Sequence, residues 1–446
     1  MARERGDAEL AQLRQAAAAV RGITRTTDFG TIALIMVFVR ATRETVWSDW
    51  RGSDGRDARE LFWYLEDELD LRDDATTRII RDLPEIAIAE IIDVVDSTAR
   101  RLGNVAAFRL ILEEFASDGD ILTPESIAII IANAVDMASA VTIHDPFCRA
   151  GELLVAAATQ ARENLPGAVV FSYGDMPDSR SLAIARMNMR LHQVDGILER
   201  RSIRELTSNR SNDLAFSRIV ANPPFNVKAW THHGYGYWRY GEPPKNNANF
   251  AWLQYAVERL EPGGKAAVIM PNGAGTTASP RERDIRMRMV EDGCVEALIS
   301  LPPALFRGTG VAATIWLLSP PGTSRDEILF IDASHTGHMV SRTLRELDES
   351  EIRQIVQTVK NWRSGLSIER IDSDSGISSV AVSLPQLRER DYSLSPSAFM
   401  TRPYASSSRD VAMPRIRQLV DKLEAEQAVA SAADIIAAHT VRNLTR

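Results

Sequence analysis

The middle of the chain contains the stretch Ile219-Val220-Ala221-Asn222-Pro223-Pro224-Phe225. Its first three residues are apolar and predict the end of a buried strand. Two consecutive prolines then hold the following turn in an extended shape, because each ring fixes φ and restricts the residue before it. The turn therefore presents Asn222 rigidly at the point where a strand ends.

Other short apolar runs on both sides of this stretch have the composition of strands. They are Val141 to Ile143, Val169 to Phe171, Ala266 to Met270, Val295 to Leu301, Ala312 to Leu318 and Ile328 to Ile331. Helical periodicity lies between several of them, as at Ser181 to Leu191 and Phe250 to Leu260. This alternation predicts an α/β fold with a mostly parallel sheet and helices on both faces. In such sheets ligands bind at the carboxyl ends of the strands.

Helical periodicity alone is found from Ala8 to about Phe115. The predicted helices are one that ends at Gly22 and those at Thr31 to Arg43, Leu61 to Leu71, Pro84 to Leu102 and Val105 to Ala116. We therefore predict an all-helical N-terminal domain over residues 1–116 and a sheet-containing domain over residues 117–400. After about Ser334 the chain is polar and mixed. A helix predicted from Pro414 to Ala438 makes residues 401–446 a C-terminal helical tail.

Composition excludes several classes of protein. The longest strongly apolar stretch, Thr31 to Val39, is far shorter than the ~18 residues of a membrane span. The charged Met1 to Asp7 segment has no signal-peptide core. Cys148 and Cys294 are the only cysteines, too few for a disulfide framework or a cysteine-based metal site. His232-His233 has no flanking Cys or acidic ligands, so we expect no metal site and a cytoplasmic protein.

The charge of the chain bears on its affinity for nucleic acids. Its 52 basic and 60 acidic side chains give a net charge of −8. Because Lys and Arg contacts to phosphate supply most non-specific affinity for DNA, the chain alone is predicted to be a poor duplex binder. Two local arginine clusters, each typical of a solvated helix face, are Arg200, Arg201 and Arg204, and Arg281, Arg283, Arg286 and Arg288.

The turn after the strand carries groups suited to reaction at an amino nitrogen. An exocyclic amino group on a conjugated ring is a weak nucleophile. The side-chain oxygen of Asn222 and the carbonyl oxygen of Pro223 can accept its two hydrogens, and Phe225 can stack on the ring. We predict Asn222, Pro223, Pro224 and Phe225 as catalytic residues. An ordinary loop with an Asn turn is the alternative, but four specific residues at a strand end are an uncommon coincidence.

The tetrapeptide matches the catalytic motif of amino-methyltransferases that use S-adenosylmethionine. Further segments resemble the methylation subunit of type I restriction–modification systems, an adenine-N6 DNA methyltransferase family. They are Tyr240 to Pro244, Asn247 to Gln254, Gly263 to Val268, Met270 to Gly273, Leu301 to Gly310 and Leu329 to Ser334. The resemblance spans roughly residues 10 to 400. It implies a Rossmann-like S-adenosylmethionine-dependent methyltransferase domain with a mostly parallel seven-stranded sheet.

The resemblance also implies a cofactor site. Thr123-Pro124 resembles the family motif at the methionine end of S-adenosylmethionine, and residues 145–152 resemble the turn after the first strand. In that turn Arg149 and Glu152 stand where the family has glycines, which let the backbone approach the ligand. The predicted cofactor-binding residues are Thr123, Pro124, Asp145, Pro146, Phe147, Gly151, Glu152, Asp175, Asp178 and Asn222.

The ribose contact departs from the family pattern. An acidic residue that closes the second strand is expected to accept hydrogen bonds from the ribose hydroxyls. The family's glutamate falls on Met176, so Asp175 or Asp178 is predicted in its place, with Asp175 favoured. The Gly-Asp pair expected after the third strand is missing, and Arg201-Ser202-Ile203 stands nearby.

The resemblance implies partners. In this family a separate specificity subunit reads double-stranded DNA, a restriction subunit can accompany it, and the hetero-oligomer contains two methylation subunits. The Pro414 to Ala438 helix is a candidate docking element. One alternative is an amino-methyltransferase acting on RNA or on a protein glutamine, against which the helical N-terminus and the Tyr240 to Gln254 segment argue. Another is a non-catalytic recognition or assembly subunit, which the changes at Arg149, Glu152 and Met176 favour.

Overall fold

The computed structural model describes residues 2–20, 26–52, 83–115, 122–138, 140–208, 214–228, 230, 238–323, 326–366, 371–372 and 376–400. Met1–Phe399 forms one compact unit and Met400–Arg446 a second, and only the first is described below. The helix end predicted at Gly22 and the helices predicted at Leu61 to Leu71 and Pro414 to Ala438 lie outside the described residues. The domain limits at residues 116 and 400 stay predictions.

The described part of the N-terminal region is helical, as predicted. Its helices are α1 (Ala2–Ala19), α2 (Thr26–Thr42), α3 (Glu44–Gly52), α4 (Glu85–Leu102) and α5 (Asn104–Phe115). Helix α2 is apolar on all sides and is buried from Asp28 to Val39, because α3, α4, α5 and a later helix pack around it. The hydrophobic cluster of these helices also includes Ala183, Ile184 and Met187 of a later helix, which joins this region to the sheet domain.

A ten-stranded sheet follows. The strands in chain order are β1 (Ala140–Asp145), β2 (Val169–Met176), β3 (Gly196–Arg200), β4 (Phe216–Ala221), β5 (Leu260–Pro271), β6 (Val295–Ser300), β7 (Ala313–Leu318), β8 (Glu327–Asp332), β9 (His338–Met339), β10 (Arg345–Glu346), β11 (Ile371–Asp372) and β12 (Ser378–Ser383). The sheet order is β11-β12-β8-β6-β7-β5-β4-β1-β2-β3, and β9 pairs with β10 in a separate ribbon.

The mostly parallel α/β fold is confirmed, with one correction to the strand count. The seven strands β3-β2-β1-β4-β5-β7-β6 form the expected sheet, in which only β7 runs antiparallel to its neighbours. Strand β8 adds in parallel to β6, and β12 and β11 extend that edge in antiparallel fashion. The sheet therefore has ten strands rather than seven. The three strands beyond the expected sheet are β8, which an apolar run predicted, and β11 and β12, which come from the polar region after Ser334.

Helices cover both faces of the sheet. They are α6 (Glu125–Ala134), α7 (Glu152–Asn164), α8 (Ser179–Leu191), α9 (Ile203–Ser208), α10 (Asn249–Glu258), α11 (Pro280–Glu291), α12 (Glu349–Arg363) and α13 (Leu384–Glu389). Side chains alternate along a strand, so Ile315 and Leu317 of β7 join the cluster that contains α6 and α7. Trp316 points to the other face and packs on Phe250 of α10, with ring centroids 6.2 Å apart.

The expectation of a solvated helix face holds for part of the second arginine cluster and not for the start of the first. In α11, Arg281, Arg283 and Arg288 are exposed. Arg286 of the same helix is 3% exposed, and its Nε donates to the Tyr392 carbonyl at 2.8 Å, which fixes the segment after α13. Arg200 and Arg201 lie at the end of β3, not on a helix, and Arg201 pairs with neighbouring carboxylates.

Candidate active site

The turn after β1 is compact and holds a buried carboxyl group. Asp145 closes β1, is 2% exposed, and accepts a hydrogen bond from the Phe147 N–H at 3.0 Å. Burial raises the pKa of Asp145 well above its usual value, and the negative charge of Glu152 raises it further. Gly151 begins α7 at φ 74°, a left-handed conformation that glycine adopts without strain. The sequence-predicted turn is therefore present despite its departures from the family pattern.

Glu152, which replaces a family glycine, connects two predicted cofactor segments. One carboxylate oxygen accepts the Thr123 N–H at 3.0 Å, and the other accepts the Ala150 N–H at 3.2 Å. The Ala150 carbonyl accepts a hydrogen bond from Asn188 Nδ2 at 2.8 Å. The side chain of Glu152 thus holds the Thr123-Pro124 segment against the β1 turn. No local pattern in the sequence indicates that Asn188 supports this turn.

Asn222 meets the same segment from the neighbouring strand. Strands β1 and β4 are adjacent and parallel, so the β1 turn and Asn222 lie at the same edge of the sheet. Asn222 is 5% exposed, and its Nδ2 donates to the Thr123 hydroxyl at 3.0 Å. This bond directs the amide oxygen of Asn222 away from Thr123. Thr123, Glu152 and Asn222, which are far apart in sequence, therefore form one connected group.

The rest of the catalytic turn is held by α10. Trp252 Nε1 donates to the Pro224 carbonyl at 3.2 Å, and Asn249 bonds both the backbone and the side chain of Asn226. Phe225 is half-buried and packs against the sheet core. The Phe147 ring contacts the Trp252 ring edge-on, with centroids 4.9 Å apart. The sequence marked this helix by resemblance only and missed its contacts to the turn.

The two acidic candidates for the ribose have other partners. Asp178 caps α8 by accepting the Ser181 N–H at 2.8 Å. Asp175 accepts a hydrogen bond from His144 Nε2 at 2.9 Å and lies 3.5 Å from Arg201 Nε. Burial lowers the pKa of His144 below its usual value, despite the raising effect of Asp175. A neutral imidazole that donates from Nε2 suits this pair.

The strand register separates Asp175 from the Asp145 side chain. Asp145 is paired with Gly174, so Asp145 and Met176 share one face of the sheet, and Asp175 shares the opposite face with His144. Met176 is fully buried in the core. Gly174 is closely approached by the β1 turn, since a Cβ there would lie 3.0 Å from Cys148 Sγ. The ribose role of Asp175 or Asp178 stays a prediction.

In the described ranges, no group of three or more His, Cys, Asp or Glu side chains is arranged to hold a metal ion. None of the helices described is both long and apolar enough to cross a membrane.

Comparisons with known proteins agree with this geometry. Residues 105–407 match the family model described as N-6 DNA Methylase. The type I restriction enzyme HindI methylase subunit of Haemophilus influenzae is 30% identical over 310 residues, which cover 67% of this chain and 68% of that protein. The MjaIX methylase subunit of Methanocaldococcus jannaschii is 27% identical, and the match covers 63% of this chain but about half, 52%, of that relative.

Solved structures show the same fold. A type I restriction–modification methyltransferase subunit from Streptococcus thermophilus superimposes with a TM-score of 0.66 at 18% identity, covering 88% of this chain and 99% of that one. A chain from a structure of type I R-M complex assembly gives a TM-score of 0.63 at 17% identity, covering 96% and 98%.

Fold and site together define a methyltransferase with a Rossmann-like domain and an Asn-Pro-Pro-Phe turn. The chain belongs to the N-6 DNA methylase family, among the methylase subunits of type I restriction–modification systems. It is accordingly a DNA adenine methyltransferase subunit. This outcome favours the sequence prediction over the alternatives of an RNA or protein methyltransferase and of a non-catalytic subunit.

Proposed function

We propose that Asn222, Pro223, Pro224 and Phe225 carry out methyl transfer to the N6 amino group of an adenine extruded from duplex DNA. The supporting observation is that the Thr123 hydroxyl fixes the Asn222 amide at the edge of the sheet where β1 and β4 end. Its oxygen and the Pro223 carbonyl accept the two amino hydrogens, and Phe225 stacks on the base. The nitrogen lone pair would form the new N–C bond while the bond from the methyl carbon to the sulfonium sulfur breaks. The neutral thioether would be the leaving group, and the nitrogen would release one proton to water.

S-adenosylmethionine would supply a methyl group activated by a sulfonium centre. Its methionine end carries positive charge at the sulfur and the amino group, which fits the two carboxyl side chains of Asp145 and Glu152 beside Thr123. Pro124, Pro146, Phe147 and Gly151 complete this end of the site in the proposal. Asp175, the residue that the sequence favours, is proposed for the ribose hydroxyls in addition to its contacts with His144 and Arg201, and Asp178 is proposed only as the cap of α8. Asp175→Asn should then weaken cofactor binding by about 1.5–3 kcal/mol, and Asp178→Asn by much less.

We also propose that the chain works in the cytoplasm within a hetero-oligomer containing two copies of this subunit. The type I methylase subunits to which it is similar support partnership with a specificity subunit that reads the DNA and with a restriction subunit. Residues 401–446, including the helix predicted from Pro414 to Ala438, are the proposed docking element. Residues 1–116 and 117–400 are proposed as the helical and catalytic domains.

The test of this function is methylation by the chain assembled with its cognate specificity subunit. Asn222→Ala should abolish transfer from radiolabelled S-adenosylmethionine while calorimetry gives a cofactor Kd within a few-fold of wild type. Phe225→Ala should slow the reaction by about 1–3 kcal/mol of lost stacking. Asn164→Ala, which alters an exposed amide on α7, is the matched control and should be fully active. Full activity of Asn222→Ala would show the mechanism to be wrong.

A further inference from the structure

Three pairs of residues join the segment from Pro224 to Val227 to the start of α10. The Pro224 carbonyl accepts from Trp252 Nε1 at 3.2 Å. The Asn226 N–H donates to Asn249 Oδ1 at 3.0 Å, and Asn249 Nδ2 donates to Asn226 Oδ1 at 2.9 Å. The Val227 carbonyl accepts the Ala248 N–H at 3.1 Å. Phe225 therefore lies between two residues that are each bonded to the same helix.

The Asn226–Asn249 pair holds a backbone shape that a non-glycine residue seldom adopts. Asn226 has φ 55°, in the left-handed region, where asparagine is among the better-tolerated side chains. Asn249 is 2% exposed, and its amide uses both the oxygen and the nitrogen on Asn226. A buried amide paired in both directions has a single orientation. The direction in which the chain leaves Phe225 is therefore set by Asn249.

We propose that Asn249 and Trp252 are positioning residues for methyl transfer. This proposal rests on the function proposed above. Thr123 fixes the Asn222 end of the turn and α10 fixes the Phe225 end, so two separate elements set the spacing between the amino-group acceptors and the stacking ring. Acceptors and ring act on one base at the same moment, and small misplacements of reacting groups are costly to rate. The hydrogen bonds of Asp145, Glu152 and Thr123 do not involve α10. The cofactor end meets α10 through the Phe147 ring on Trp252, a ring contact that neither Asn249→Ala nor Trp252→Phe removes. We therefore expect cofactor binding to change little in both variants.

Variants of these residues, assayed in the complex with the specificity subunit, separate positioning from folding. Asn249→Ala removes both amide bonds and should lower kcat about 10–100-fold, with the cofactor Kd within two-fold of wild type. Trp252→Phe keeps a ring but loses the donor, and should lower kcat several-fold with the same unchanged Kd. Asn247→Ala is the matched control. The Asn247 side chain accepts the N–H of Asn249, and no hydrogen bond is described between it and the turn from Pro224 to Val227. It should keep kcat within two-fold.

A double-mutant cycle of kcat values distinguishes a positioning role from general destabilisation of the fold. Asn226→Gly keeps the left-handed backbone and its N–H, and loses only the side-chain acceptor. Combined with Asn249→Ala, it should lower kcat no further than Asn249→Ala alone. Wild-type kcat in both Asn249→Ala and Trp252→Phe, with Asn222→Ala inactive, would overturn the positioning role alone. An active Asn222→Ala would instead overturn the proposed function. If Asn249→Ala does not fold, the kcat and cofactor Kd of Trp252→Phe alone test the positioning role.

Discussion

At the scale of single residues, the site holds Asp145 where a carboxylate is costly to keep charged. Asp145 is buried beside Glu152, and its carboxyl group accepts a hydrogen bond from the Phe147 N–H. Desolvation and the charge of Glu152 outweigh the attraction of Arg149 and favour the protonated form of Asp145. A buried carboxyl group of this kind suits a site that binds a positively charged ligand, since the ligand adds an opposite charge.

Asp145→Asn should therefore stabilise the free protein at neutral and alkaline pH. The folded-state pKa of Asp145 is raised, so its contribution to stability is full below its usual value of 3.8 and is lost as pH rises through the raised pKa. The difference in unfolding free energy between variant and wild type should grow from about pH 4 upward and exceed the roughly 0.5 kcal/mol typical of neutral surface changes. Urea titrations at pH 4, 6 and 8 measure it. A wild type that is more stable at pH 8 would contradict the argument.

Glu152→Gln should weaken both the fold and the cofactor site. The carboxylate accepts two N–H donors, and an amide offers one acceptor and places an NH₂ against the other donor. We expect a loss of about 1–3 kcal/mol in unfolding free energy and at least a several-fold weaker S-adenosylmethionine Kd by calorimetry. Glu163→Gln, near the other end of α7 and exposed, is the control. An unchanged Kd would mean that the Thr123 segment is held in another way.

At the scale of elements, apolar runs predicted seven strands and missed those without such runs. Strand β3 lies at the sheet edge and its side chains are exposed or half-exposed, so burial left no apolar pattern in Gly196–Arg200. Strand β12 has only the short apolar run Val380 to Val382 between serines. Strands β3 and β12 are therefore specified by their neighbours more than by their own composition.

Prediction of the site from the sequence was limited in the same way. Strand ends and motifs predicted that Thr123, Glu152 and Asn222 belong to one region, because the carboxyl ends of parallel strands meet at one edge. The contacts of Asn249 and Trp252 depend on where α10 packs after a long connection, which no local pattern encodes. The face on which Asp175 points depends on strand register, where a shift of one residue reverses every side chain.

The ion pairs that attach α12 to the sheet lead to a prediction about the free energy of unfolding. Arg363 makes two hydrogen bonds of 2.8 Å to Glu296 of β6, and Lys265 lies 3.2 Å from the same carboxylate. Burial raises the pKa of Glu296, but the pairing with Arg363 and Lys265 outweighs it and leaves the pKa below its usual value. Arg363→Met should cost about 3–5 kcal/mol of unfolding free energy by leaving a buried charge poorly paired.

The control is Arg353→Met on the same helix, whose ion pair with Glu349 is exposed and should cost no more than about 1 kcal/mol. Acid provides a second check. The stabilisation from Glu296 is present above its usual pKa of 4.5 and is lost as pH falls through the lower folded value. The gap between Arg363→Met and wild type should therefore narrow in acid. Equal losses for both arginine variants at pH 7 would contradict the structural role of Arg363.

At the scale of the whole molecule, charge opposes independent binding to DNA. The chain carries 60 acidic against 52 basic side chains, and several arginines are committed to partners within the fold, such as Arg286 and Arg363. Arginines that are buried in such pairs are not available for phosphate contacts. Sequence recognition also requires contacts to base edges, which a pocket for one extruded base does not supply.

We therefore expect the isolated chain to bind duplex DNA weakly at physiological salt and without sequence preference. Gel-shift titration of the purified chain against a duplex with and without its target should give equal, weak shifts. Adding the cognate specificity subunit should produce sequence-specific binding with a steeper dependence on salt, because that subunit adds phosphate contacts. A chain truncated after residue 400 tests docking and should lose this gain while keeping its cofactor Kd. Sub-micromolar, sequence-selective binding by the full chain alone would contradict the multi-subunit proposal and indicate a self-contained methyltransferase.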